Sequence, residues 1–146
     1  MSRLLLDTNY LLDFVVKERP GSDEAARLFR LIVRGEHEGL VAATSLKDLY
    51  YLCRKGYSDE EARDWIRIFM QAFTVCPLDR AACWDALGSD EPDFEDGCMR
   101  AIAEREHVDF IITRDERAFA RSPVKSYSAR EFLDLFDADG GEGLEG

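Results

Sequence analysis

Short apolar runs punctuate this chain, and amphipathic stretches fill the gaps between them. Leu4–Leu6, Leu40–Ala43, Thr74–Cys76, Phe110–Thr113 and Val124–Ser126 are too short for helices. Their consecutive apolar or β-branched positions are the pattern of strands in a parallel sheet. The gaps carry helix start signals. Ser58-Asp-Glu-Glu61 and Ser128-Ala-Arg-Glu131 both fit a capping box, in which serine and glutamate each satisfy an orphan backbone donor. Ser22 precedes Asp23 and Glu24, anions that a helix dipole favours in a first turn. After Ser58, the residues Ala62, Trp65, Ile66, Phe69 and Phe73 fall on one helical stripe, with Arg63 and Arg67 off it. Strands alternating with helices predict an α/β fold with its parallel sheet covered on both faces.

The chain has 146 residues, 46% of them apolar, enough for one domain with its own core. No repeat or linker divides it, so residues 1–136 read as a single domain. Asp137–Gly146, acidic and glycine-rich, has the composition of a disordered tail. No run approaches the ~20 apolar residues of a membrane span. The N-terminus, with Arg3 soon followed by Asp7, is not a signal peptide, so a cytoplasmic protein is expected. Cys53, Cys76, Cys83 and Cys98 lack Cys-x-x-Cys spacing, and neither His37 nor His107 lies near a cysteine in sequence. Reduced, mostly buried thiols are expected rather than a zinc site. The net charge of −11 excludes a broadly basic nucleic-acid surface. Six acids and no Lys or Arg lie from Glu131 onward, so residues 1–130 carry only −5. Any polyanion site must then rely on bound cations and a local basic cluster.

Connectivity addresses four acids to one place. In a parallel sheet every strand ends at one edge, and every helix feeding the next strand begins there. Asp7 ends the first strand. Asp48 is expected in the first turn of the helix after Leu40–Ala43, with Thr44-Ser45 as cap. Asp96 lies in the first turn of the helix Phe94–Glu106, and Asp115 two residues beyond the strand ending at Thr113. Any one of these acids could simply cap a helix, as Asp93 in Asp-x-x-Asp illustrates. Four converging carboxylates, however, repel one another and cost stability unless a cation intervenes. An all-carboxylate set suits Mg²⁺ or Mn²⁺. One such ion would activate a water, and a second would stabilise the leaving oxygen of an in-line phosphoryl displacement.

The segments Leu4-Leu5-Leu6-Asp7-Thr8-Asn9, Thr44-Ser45-Leu46-Lys47-Asp48-Leu49-Tyr50-Tyr51, and Asp93-Phe94-Glu95-Asp96 through Ile111-Ile112-Thr113-Arg114-Asp115 resemble the PIN domain. The resemblance runs from Leu4 to about Phe136. It implies a three-layer α/β/α sandwich around a parallel sheet of about five strands, and metal-dependent ribonuclease activity on single-stranded or looped RNA. Many relatives resemble VapC toxins, held inactive by an antitoxin partner, and a homodimer is expected. Carried over residue by residue, Asp7 and Asp96 match the best-defined metal positions. Asp115 matches the acid after the fourth strand, Thr113 a hydroxyl that orients the water or metal shell, and Asn9 a residue holding the loop around Asp7. Where relatives usually carry Glu this chain has Asp48, one methylene shorter and beside Lys47. That departure keeps a second reading open, a catalytically silent module that binds RNA or a protein. A strand followed by Asp also opens haloacid-dehalogenase-like phosphatases, but their chemistry needs an acid where Asn9 stands.

Candidate RNA-backbone contacts are Lys47, Arg100, Arg114 and Arg117, each near an acid in sequence. For Arg100 an ordinary i,i+4 pair with Asp96 is the competing explanation. Tyr50 and Tyr51 are expected in the core rather than stacked on a base. Trp65, Phe69 and Phe73 are most simply core, although an exposed part of that stripe, with Leu28, Leu31 and Ile32, could serve a dimer or antitoxin surface.

Overall fold

A computed structural model describes residues 1–136. Residues 137–146, expected from composition to form a tail, lie outside the described residues. The chain runs β1 (Arg3–Leu6), α1 (Thr8–Val15), α2 (Ser22–Val33), β2 (Glu38–Ala42), α3 (Ala43–Cys53), α4 (Asp59–Ala72), β3 (Thr74–Cys76), α5 (Arg80–Gly88), α6 (Phe94–Arg105), β4 (Phe110–Ile112) and β5 (Lys125–Tyr127). Residues 129–136 are helical as well.

The five strands form one sheet in the order β3-β2-β1-β4-β5, every pair parallel. β1 is central, with Leu5 paired to Leu40 on one side and Ile111 on the other. Alternation then divides the strand residues between two cores. Leu4, Leu6, Val41 and Ile112 face α1–α4 and Phe132–Leu133, around a cluster of Phe14, Phe29, Trp65, Phe69 and Phe73. Leu5, Leu40, Ala42 and Ile111 face Met99, Ile102 and Ala103 of α6, with Ala118 and Phe119 beside them. This is the expected three-layer α/β/α sandwich.

Local chemistry explains where helices start. Both expected capping boxes are formed. Ser58 Oγ accepts from Glu61 N at 3.1 Å while Ser58 N donates back to Glu61 Oε1. Ser128 and Glu131 make the same exchange at 3.0 and 2.9 Å. Gly39 in β2 has a packing reason: a Cβ there would lie 2.6 Å from the Phe73 ring, so only glycine lets that ring cover the strand.

Four expectations need correction. Ala43 opens α3 instead of ending β2, and Ala42 occupies the cap position with no side-chain cap. Thr44 and Ser45 therefore lie inside the helix, and Asp48 falls in its second turn, not its first. The extended β2 backbone runs straight into helix, so no capping loop intervenes. Tyr51 is 64% exposed, because consecutive helical side chains diverge and Tyr50 takes the inward-leaning position. The aromatic stripe holds: Ala62, Phe69 and Phe73 are buried, and Trp65 and Ile66, half-buried, pack against the same core. Cys53, Cys76 and Cys98 are buried and Cys83 half-buried, all as free thiols.

Candidate metal centre and its surroundings

Three of the candidate acids, Asp7, Asp96 and Asp115, lie at the end of β1, the start of α6 and just after β4, and they fall into two groups. In the first, Asp7 caps α1, its carboxylate accepting from Tyr10 N at 2.8 Å. Burial pushes this carboxyl up. The Thr113 hydroxyl and Tyr10 amide, as donors to the carboxylate, oppose that rise, as does the charge of Arg114, while nearby Asp13 adds to it. Thr113 is buried and also accepts from Asp115 N at 3.1 Å. One hydroxyl thus links the Asp7 carboxylate to the backbone of Asp115.

The second group surrounds Asp96, in the first turn of α6. Its carboxyl is pushed up to about 6, by burial first and then by the negative charges of Asp93, Asp115, Glu91 and Glu95. Asp115 is exposed, and its Oδ1 accepts from Arg117 N at 2.9 Å and Ala118 N at 3.2 Å, which shapes the turn after β4. Asp93 caps α6, accepting from Glu95 N at 2.7 Å.

Asp48 lies in the second turn of α3, its carboxylate 3.2 Å from Lys47 Nζ. Asn9 is exposed and makes no side-chain hydrogen bond among the described residues, so it does not hold the Asp7 loop; Thr113 and Tyr10 do. Among the described residues no three His, Cys, Asp or Glu side chains form a ready-made metal cage.

Two residues absent from the sequence candidates complete the picture. Asp13, buried in α1, pairs with Arg19 at 2.7 Å and Arg114 at 3.2 Å. A Cβ on Gly21 would lie 2.5 Å from its Oδ2, so α2 can start against this carboxylate only with glycine at that point. The signal was present: an acid interrupting the apolar run Tyr10–Val15. The other residue is Glu91, whose side chain is only 3% exposed although it lies in an acidic loop that reads as solvated. Nothing local could have shown its burial.

The basic candidates also separate. Arg100 is bound to Asp90 at 2.6 Å and Glu104 at 3.1 Å, with Glu91 at 3.5 Å, and its side chain is 18% exposed. It is neither presented to solvent nor paired with Asp96. Lys47, Arg114 and Arg117 are exposed. Arg130, at the start of the 129–136 helix, lines a cleft of about 240 Å³ together with Asp7, Asp13, Gly21, Thr113 and Arg114. That volume lies below the roughly 300–1,000 Å³ of enclosed small-molecule sites.

The donor chemistry fits a hard divalent cation. All candidate ligands are carboxylate oxygens, no His or Cys is among them, and the carboxyls carry a surplus of negative charge that raises Asp96. With few protein ligands at hand, water would fill the remaining positions, as Mg²⁺ commonly allows.

The family model described as PIN domain matches residues 3–117. The chain belongs to the PIN domain family. Solved structures agree with this PIN assignment at the level of fold. VapBC2 from Rickettsia felis, bound to a promoter DNA fragment, aligns with TM-score 0.65 and 15% identity over 86% of this chain and 98% of that one. VapC20 from Mycobacterium tuberculosis, a Sarcin-Ricin loop cleaving toxin, gives 0.65 and 13% over 81% and 94%. DNA-bound VapBC from Salmonella typhimurium gives 0.64 and 19% over 88% and 99%. No curated protein matches the chain by sequence. Among the described residues of this PIN domain, no helix is long and apolar enough to cross a membrane.

Proposed function

We propose that this PIN domain is a Mg²⁺- or Mn²⁺-dependent endoribonuclease and the toxin of a toxin–antitoxin pair. The observation that carries the reading is the linkage of Asp7 through Thr113 to Asp115, which in turn raises Asp96 electrostatically. Asp7, Asp96 and Asp115 would hold the cation, and Asp48, with its shorter arm and Lys47 beside it, would tune the site from outside. A bound divalent cation supplies Lewis-acid activation of water and charge neutralisation at phosphorus.

The chain's own residues do the rest. Thr113 holds the Asp7 carboxylate in one orientation while its own oxygen is fixed by Asp115 N. Arg114, anchored by Asp13, and Arg130 place positive charge on the cleft rim, where a phosphodiester backbone would lie. Lys47 and Arg117 extend this sparse cationic fringe on an otherwise acidic protein. Asp93 contributes by starting α6 at the right point, so that Asp96 faces the β4 loop.

The neighbouring VapBC structures support an antitoxin as partner. Trp84, Leu87 and Phe94, between 52% and 64% exposed around α5 and the start of α6, offer apolar surface for that protein or for a second copy of this chain.

The test is cleavage of a mixed single-stranded RNA pool with Mn²⁺, with EDTA, and with Asp7→Asn as control. Cleavage that needs metal and disappears in Asp7→Asn is the expected result. Metal-independent cleavage, or cleavage surviving Asp7→Asn, overturns the proposal. The silent-module reading keeps one observation in its favour, the pairing of the short Asp48 carboxylate with Lys47 rather than a free arm. RNA bound by folded protein but left intact with Mn²⁺ present would select it.

A further inference from the structure

We propose that Glu91 is a positioning residue of the acid site. Its buried carboxylate braces the loop carrying Asp115 against the helix start carrying Asp96, and so sets the separation of those two groups. The inference rests on the metal-site reading above.

The brace has three anchored points. Glu91 Oε2 accepts from Phe119 N at 3.2 Å. Glu91 Oε1 is buried without a hydrogen bond and has as ionic neighbour Arg100 Nη1 at 3.5 Å, one helical turn after Asp96. Arg100 is fixed in turn by Asp90 and Glu104, which makes it part of the α6 frame.

Phe119 is an unusual residue to hold this way. Its φ of 66° lies in the left-handed region that bulky side chains avoid, and such a conformation persists only when its surroundings over-determine it. Its ring is buried in the core beneath the sheet, which fixes one side of the residue. Glu91 fixes the other. Between Asp115 and Phe119 the turn is tied together by Asp115 Oδ1, which accepts from both Arg117 N and Ala118 N. Through this turn the position of Phe119 is coupled to that of Asp115.

The experiment compares wild type, E91A, E91D and E91Q by amide hydrogen exchange across 113–122 and by Mn²⁺ titration read as thermal shift. Exchange in β1 and β4 reports whether the fold is intact. E91A should lose protection at Phe119 and weaken Mn²⁺ affinity by about 10-fold or more, as changes to groups orienting metal ligands commonly do. E91D keeps the charge but falls short of Phe119 N, so it should lose both as well, and it carries the test if E91A does not fold. E91Q retains an acceptor oxygen of the right reach, so it should keep Phe119 protection and, losing only a neighbouring charge, weaken Mn²⁺ affinity less than E91A or E91D. Unchanged Phe119 protection in E91A and E91D overturns the brace. Lost protection with wild-type Mn²⁺ affinity overturns the positioning role, leaving a loop staple. A wild-type protein indifferent to Mn²⁺ refutes the metal reading instead, and exchange at Phe119 then decides the brace alone.

Discussion

Asp96→Asn should stabilise the metal-free protein while abolishing its response to Mn²⁺. Burial and four neighbouring acids lift the Asp96 carboxyl from 3.8 to about 6. A difference of that size corresponds to about 3 kcal/mol, since each unit is worth about 1.4 kcal/mol. The carboxyl is only partly buried, and solvent screening reduces this to about 1–2 kcal/mol. Against it stands the favourable position of an anion in the first turn of α6, about 0.3–1 kcal/mol. The net gain from removing the charge is therefore about 1 kcal/mol, or about 3–4 °C in Tm for a chain of this size.

The pH dependence follows from the direction of the shift. The folded state retains this proton between about pH 4 and 6 after the unfolded chain has released it. Wild type thus loses stability as pH rises through that window, and the penalty is fully present above it. Thermal unfolding in EDTA at pH 5 and pH 8 measures this directly. Asp96→Asn should flatten this contribution to the pH profile and exceed wild type at pH 8, yet gain nothing from added Mn²⁺. A variant less stable than wild type at pH 8, with the same pH slope, would show that Asp96 is not under electrostatic stress.

The core and caps give further checks. Phe69→Ala removes a fully buried ring from the centre of the aromatic cluster and should cost about 3–5 kcal/mol in urea unfolding. Gly39→Ala places a methyl 2.6 Å from the Phe73 ring, and the forced repacking should cost about 1–3 kcal/mol by the same measurement. Ser58→Ala breaks the capping box of α4 at an exposed site, so about 0.5–2 kcal/mol should be lost with little change in the m-value.

Much of the architecture was legible from local rules. Short runs of three or four residues located every strand. Those of β1 and β2 are apolar because a strand buried on both faces leaves little room for polar side chains, whereas the edge strands β3 and β5 carry exposed Thr74 and Lys125. Ser58 and Ser128 announced their helices because capping is chemistry between residues three apart. Asp7, Asp96 and Asp115 were placed at one edge by connectivity, which parallel topology dictates without any knowledge of packing. What escaped was long-range. Arg100 reads in sequence as an RNA-backbone contact or an i,i+4 partner of Asp96, whereas Asp90 and Glu91 reach it from a loop with no periodic pattern. Asp48 was placed one turn too early, because no capping residue marks where β2 becomes α3. Asp13 finds Arg114 across 101 positions of sequence, and no local rule connects residues at that separation.

On the proposed function, Asp7, Asp96 and Asp115 together hold a divalent cation. Titration of Mn²⁺ into wild type, Asp7→Asn and Asp96→Asn, followed by electron paramagnetic resonance of the free ion, tests it most directly. Saturable binding in wild type that is lost or severely weakened in both variants, each still folded, is the predicted result. Binding that survives both substitutions, or none in wild type, would contradict it.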